Sequence, residues 1–304
     1  MRTRFATDHG LTARMTLVMF LLGGLFVVLV VGLMFALPPQ YAPIIGVIGI
    51  GVAWWQWWNS DTVAMKAMGA REVTPEEAPE LHGMIDRLCA MADMPKPRVG
   101  VARMEMPNAF ATGRSPSRSL VCVTTGLLQI LDAEELEGVL AHELSHVAHR
   151  DVLVMTFASS AGIVAGMLTR GVSYGSHVGV MRGGRNSGGA LPAILVALLV
   201  SVVVYAVSFV LIRLLSRYRE MCADRAAAYL TMKPAALGSA LQKITGGIST
   251  IPQRDLRSDT ALNSFFIAPA ISGVSLKTLS ATHPSLEQRL EQLARIQTDL
   301  GRPS

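Results

Sequence analysis

"AHELSHVAHRDVLVM", residues 141–155, joins two kinds of chain that seldom meet. Its first half holds His142-Glu143-Leu144-Ser145-His146, an HExxH pattern. On a helix, residues four apart share a face at about 6 Å, so both imidazoles can reach one zinc ion. Glu143 sits beside them, where it can serve as general base on a water that the metal activates. The plain alternative is a charged helix face with incidental histidines. The second half, from Val152, opens an uncharged run. A site that consumes water therefore leads directly into a segment suited to lipid. Upstream, Asp132 and Glu135 form a capping box that predicts a helix running through Arg150, with Leu140, Leu144 and Val147 as apolar positions. His149 shares the face of His142 and His146 but lies about 10 Å along the axis from His142. That is too far for all three to hold one ion, so it reads as an interface histidine or a support for a ligand.

Composition agrees with the second half of the motif. Of 304 residues, 51% are hydrophobic and 16% charged, and mean hydropathy is +0.40. Soluble domains carry about 25% charged residues, so the balance points to a membrane. The net charge of +5 does not come from basic runs interleaved with aromatics, which excludes a nucleic-acid-binding reading. The arginines flank apolar stretches instead, as topology signals and contacts for anionic lipid. Cys89, Cys122 and Cys222 are widely spaced and odd in number, which argues against a disulfide framework.

The chain divides by character. Residues 1–58 form an N-terminal hairpin of spans, with an uncharged run at 15–37, a Pro38-Pro39 turn and a return at 42–58. Trp54, Trp55, Trp57 and Trp58 end it, as interfacial anchors or as an aromatic core cluster. Residues 59–151 change to charges, prolines and short periodic segments. Thr74-Pro75-Glu76-Glu77 predicts a capped helix with Leu81, Ile85, Leu88 and Met91 on one face. Strands are expected near 99–104, 108–112 and 119–124. Residues 152–212 form a second hairpin of spans around a Gly/Ser-rich loop at 170–190. Residues 213–304 hold an amphipathic continuation, a helix near 234–245 and a last helix from about 284 to 298. The expected fold class is mainly α: a polytopic helical membrane protein of four spans with a small α+β gluzincin-like domain. Four spans put 59–151 and 213–304 on one side. Arg2, Arg4, Arg14, Lys66, Arg71, Arg150, Arg213, Arg217 and Arg219 mark that side as cytoplasmic, while Arg170, Arg182 and Arg185 lie in the opposite loop.

A catalytic zinc needs a third protein ligand. A hairpin of spans three and four brings Asp151 and Arg213 to the same membrane face, so the helix beginning at 213 should neighbour the HExxH helix. Its acidic residues are Glu220 and Asp224, on one face at i, i+4. Glu220 is the expected ligand, and Asp224 is expected to orient a ligand histidine. Ordinary surface pairing with Arg217, Arg219 and Arg225 is the alternative. Cys222 lies off that face.

"HELSH" with Asp151 five residues on, "EMCAD", "PNAFATG" upstream and "THPSLEQRLEQL" at the end together resemble the HtpX-type membrane zinc metalloproteases. The resemblance covers nearly the whole chain. It implies a zinc endopeptidase of the bacterial cytoplasmic (inner) membrane, facing the cytoplasm and engaged in protein quality control. It implies one zinc per chain on His142, His146 and Glu220, with Glu143 as base. Asn108, Ala109, Phe110 and Ala111 are similar to the family's substrate-binding edge strand, and backbone addition of an extended peptide there is physically sensible. His283 resembles the family's C-terminal histidine, which helps stabilise the transition state; equally, it could be a residue before a helix that starts at Pro284. Asp151 is either a support for the ligands or a helix-end charge. Expected partners are membrane-protein or unfolded polypeptide substrates and membrane lipid, with no nucleic acid. The rival readings are a CAAX-type prenyl protease, which the small number of spans disfavours, and a zinc-stabilised scaffold, which has no use for Glu143.

Overall fold

The computed structural model describes residues 9–36, 58–150, 190–250 and 284–301, with positions 47, 50, 51, 54 and 55 between the first two stretches. The described chain is mainly helical with one small sheet. Its elements are α1 (His9–Ala36), α2 (Ser60–Ala67), β1 (Ala70–Glu72), α3 (Pro79–Ala92), β2 (Arg98–Ala102), β3 (Ala109–Ser115), β4 (Arg118–Thr124), α4 (Thr125–Ile130), α5 (Ala133–Ala148), α6 (Ala190–Thr231), α7 (Pro234–Thr250) and α8 (Leu286–Leu300).

The chain forms two compact units. One comprises Met1–Leu11, Asn59–Leu153 and Ser216–Ser304; the other comprises Thr12–Trp58 and Val154–Leu215. In the second, α1 is uncharged from Met15 to Ala36, and the part of α6 before Arg213 is likewise uncharged. Phe20, Val27, Leu199 and Val210 expose their side chains, as do Trp54, Trp55 and Trp58. Trp54 and Trp58 stack at 5.3 Å, but their exposure rules out an aromatic core cluster at these positions. Among the described residues no helix is long and apolar enough to cross a membrane. The third span and the loop at 170–190, apart from Ala190 at the start of α6, lie outside the described residues.

The first unit is built on a four-stranded sheet in the order β1-β2-β4-β3. β2 and β4 are parallel, with Val99 opposite Val121; β1 and β3 pair antiparallel on either side and form the edges. Sequence periodicity indicates three of these strands; β1 has three residues, too few to show alternation. Gly113 is required at the β3–β4 turn. Its φ is +136°, and an added Cβ would lie 2.4 Å from Arg118 O.

The expected helix after Thr74 starts later than the sequence suggests. Thr74 N donates to Glu77 Oε2 at 3.0 Å, so the box exists, but it closes a turn. Pro79 has no N–H to continue a ladder begun at Pro75, and the helix begins there with Ala78 as its N-cap. Leu81, Ile85 and Leu88 are buried, whereas Met91 is exposed and Ala92 fills the fourth buried place. At 100° per residue, Ala92 falls about 20° from Leu81 around the axis and Met91 about 80° away.

α5 forms as its capping box requires: Asp132 Oδ1 accepts from the Glu134 and Glu135 amides, and Asp132 N donates to Glu135 Oε2. α5 packs on β3, β4, α3 and α7, so residues Glu135 to Val147 are buried all round. Gly138 permits the approach of α7, since a Cβ there would meet the Leu237 backbone at 3.3 Å. Glu135 ties the two helices further, accepting from Lys243 Nζ and Ser239 Oγ, each at 2.6 Å. α8 starts at Leu286, with Ser285 and Gln288 as a capping box, and packs on α7. Leu293 and Ile296 are buried, and Leu286 packs against the same core.

Candidate metal centre

α5 and the part of α6 after Ser216 bring three ligand-type side chains together. His142 Nε2 lies 3.4 Å from Glu220 Oε2, and His146 Nε2 lies 3.5 Å from Glu220 Oε1. One ligand atom from each residue falls within 4.8 Å of the others, and all three residues are buried. The imidazoles stand at 90° with centroids 4.9 Å apart.

His142 shows how the site is oriented. Its Nδ1 is 2.9 Å from Asp224 Oδ1. Among the described residues no other acceptor reaches Nδ1. With its proton directed at Asp224, Nε2 keeps its lone pair for the Glu220 side, where it has no hydrogen-bond partner although it is fully enclosed. A buried acceptor aimed at a carboxylate oxygen suits a cation between them. The residues present therefore fit a metal.

Asp224 is anchored in turn. Arg289 of α8 donates from Nε to Oδ2 at 2.7 Å and from Nη2 to Oδ1 at 2.6 Å, a bidentate pair with both residues buried. Burial pushes the Asp224 carboxyl upward, but the Arg289 charge and hydrogen bonds outweigh it and hold the group below the usual range. Arg289 thus reaches His142 through Asp224. Surface ion pairing, the alternative for Glu220 and Asp224, does not apply, since both are buried and Asp224 pairs with an arginine 65 residues away. Sequence reading missed Arg289. The available signal was an arginine four residues before Leu293, on the apolar stripe of α8.

Glu143 is 4% exposed on the neighbouring face of α5. Burial raises its pKa, and Glu220 adds to this; the two histidines and the Ala111 backbone N–H act against it, and the net shift is upward. That suits a group that must take a proton near neutral pH. For His142, burial works downward, and Asp224 and Glu220 outweigh it. Arg219 Nη2 lies 3.4 Å from His146 Nδ1.

Ala111 belongs to β3, an edge strand of the described sheet that takes in Ala109 to Ala111 and leaves Asn108 just before it. Asn108, Ala109 and Phe110 have buried side chains and Ala111 is half-buried, so only backbone could be offered along most of this stretch. Asn108 N donates to Thr124 Oγ1 at 2.9 Å. His149 caps α5, with Nδ1 2.8 Å from Ser145 O. Asp151 and His283 lie outside the described residues, and Cys222 is buried, in no disulfide and outside the metal-ligand group.

The sequence profile of peptidase family M48 matches residues 75–297. The chain belongs to that family. This M48 chain is 54% identical over 302 residues to the protease HtpX homolog 1 of Streptomyces coelicolor, covering 99% of this chain and 97% of that one. It is 47% identical over 302 residues to a protease HtpX homolog of Moorella thermoacetica, covering 99% of each. The resemblance to HtpX-type proteases therefore holds, and the M48 chain is a metalloprotease whose substrates are polypeptides. In fold it is similar to the crystal structure of S. mikatae Ste24p, with a TM-score of 0.55 at 17% identity, covering 93% of this chain and 65% of that one.

Proposed function

We propose that this M48 peptidase is a zinc-dependent endopeptidase of the bacterial cytoplasmic membrane. It cuts misfolded or damaged membrane proteins at the cytoplasmic face. The observation that carries the reading is the buried group of His142, His146 and Glu220 with the uphill-shifted Glu143 beside it. Two imidazoles and one carboxylate are a donor set that zinc favours. One zinc per chain would supply a Lewis acid that polarises the scissile carbonyl and makes water a nucleophile near neutral pH. Glu143 would take a proton from the attacking water and hand it to the leaving amine. Asp224, held by Arg289, keeps His142 turned with Nε2 inward. The peptide lies extended against residues 108–111, on the side of β3 away from β4. Asp151 supports the ligands and His283 the transition state.

Four spans hold the enzyme in the bilayer. The first expected span rests on the uncharged run at residues 15–37 of the sequence. The exposed apolar side chains of α1 and α6 favour lipid contact. The uncharged part of α6 ends at Ile212, two turns before Glu220 in the same helix. That spacing keeps the zinc close to the surface of the bilayer, where water and membrane-protein loops both reach it.

The test uses full-length chain purified in detergent with a chelator. Zinc is then added to wild type and to Glu143→Gln, and cleavage of an unfolded protein is followed. Wild type should cut and Glu143→Gln should not, with both binding zinc. No cutting by either despite bound zinc would favour the scaffold.

A further inference from the structure

Residues 103–108 connect β2 to β3 and lead into the edge against which the peptide is proposed to lie. Three consecutive residues at the β4–α4 junction hold this connection. Thr125 Oγ1 donates to Met104 O at 3.0 Å and accepts from Met104 N at 3.2 Å. Gly126 N donates to Met104 O at 2.9 Å, and a Cβ on Gly126 would overlap Glu105 O. Thr124 is fully buried. Its Oγ1 accepts from Asn108 N at 2.9 Å and from Leu127 N at 3.2 Å, and donates to Met106 O at 2.8 Å, with Asn108 O also in reach at 3.2 Å. A hydroxyl has two lone pairs and one proton, so its capacity is filled. Capping α4 uses only the Leu127 contact. The other contacts all go to the β2–β3 connection.

The pair with Asn108 sets the geometry of the edge. Thr124 N donates to Asn108 O at 2.9 Å, so residues 108 and 124 exchange two hydrogen bonds, with the hydroxyl standing in for the Thr124 carbonyl. Beyond that pair, Ala109 lies opposite Val123, Phe110 opposite Cys122 and Ala111 opposite Val121. In an antiparallel ladder, hydrogen-bonded pairs alternate with pairs whose N–H and C=O turn away from the partner strand. Asn108 and Phe110 therefore bond to β4, whereas Ala109 and Ala111 turn their backbone groups outward. The Ala111 N–H is the one that acts on the Glu143 carboxylate. A slip of one residue would reverse the two sets. At the far end the pairing is irregular between Gly113 and Ser115, which leaves the Thr124 end as the regular anchor.

We propose that Thr124 is a positioning residue for peptide cleavage. Its hydroxyl holds the edge in the register that turns the Ala109 and Ala111 backbone towards the peptide and the base. The proposal rests on the peptidase reading, with the peptide along residues 108–111, and adds the residue that sets its register.

The experiment uses the zinc-loaded full chain in detergent and a peptide that it cuts. The backbone amides of the peptide are N-methylated one at a time on either side of the cut, sparing the scissile bond. In an extended peptide every second amide faces β3. Methylation should therefore lower kcat/KM about two- to tenfold at alternate positions, the range expected of one hydrogen bond, and little between them. In Thr124→Val the contrast between the two sets should fall to about 1. Thr124→Ser keeps the hydroxyl and should keep the contrast. Thr125→Val loosens the same connection at Met104 and should also keep it. If Thr124→Val does not fold, Thr124→Cys, whose sulfur accepts hydrogen bonds weakly, should still lower the contrast. A contrast unchanged in Thr124→Val, or lost equally in Thr125→Val, would overturn the proposal. A wild type that cuts with no alternation would remove the peptide from this edge and the proposal with it. A wild type that cuts no peptide would remove the peptidase reading itself.

Discussion

Replacing Arg289 by Met should disable the metal centre from the far side of Asp224. Arg289 and Asp224 are 2% and 0% exposed, and their two hydrogen bonds are 2.7 and 2.6 Å long. Taking away one partner leaves a carboxylate that water cannot reach. Such breaks cost about 3–5 kcal/mol. The stranded Asp224 would escape part of this by taking up a proton, because Arg289 is the main force holding its pKa down. A protonated Asp224 no longer attracts the Nδ1 proton of His142, 2.9 Å away, and the imidazole loses its fixed orientation. Groups that support metal ligands in this way are worth about 10- to 100-fold in metal affinity. Two measurements on detergent-purified chain separate the effects: thermal unfolding with chelator present, and zinc affinity by competition with a chelating dye. Arg289→Met should lower both. Arg289→Met/Asp224→Asn should recover much of the lost stability, because no lone charge stays buried, yet it should not recover full zinc affinity. If Arg289→Met melts and binds zinc as wild type does, the chain of contacts from α8 to His142 has no energetic role, and the account of the site is wrong.

Other predictions concern the frame around the site. Burial raises the pKa of Glu135, but Lys243, Ser239 and the Asp132 amide together bring it below its ordinary value of 4.5. The unfolded chain therefore binds the proton more readily. The stabilisation is complete above about pH 5 and fades as pH falls through the folded value. Melting curves of wild type and Glu135→Gln should stand apart at pH 7 and draw together as pH falls below 4.5; a gap independent of pH would refute this. Gly113→Ala should destabilise by about 1–3 kcal/mol from backbone strain alone, with more from the clash at Arg118 O, visible as a lowered melting temperature. An unchanged melting temperature would mean that the turn readily takes another shape.

Much of the site could be read from the chain because its parts are local. The 3.6-residue period alone puts His142 and His146 on one face, and Asp132 with Glu135 marks where that helix begins. Glu220 and Asp224 share a face for the same reason, and the uncharged runs on either side suggest that their helix lies beside α5. Local signals failed where a neighbour could override them. The Thr74 box forms its hydrogen bond but opens no helix, since Pro79 withholds an amide from the ladder. β1 is only three residues long, too short for a period-two pattern, and exists because β2 offers it an edge.

The sequence by itself determined the chemistry on offer: an HExxH helix, an acid pair on a second helix, and long uncharged runs around both. These follow from spacing along the chain, where each turn of helix repeats a face. Only the tertiary structure decided which carboxylate supports His142 and what keeps that carboxylate ionised without water. The answer is an arginine 65 positions beyond Asp224, on another helix. No local pattern encodes that pair, because a buried charge chooses its partner by proximity after packing, when solvent is gone and the bond can no longer be exchanged for water.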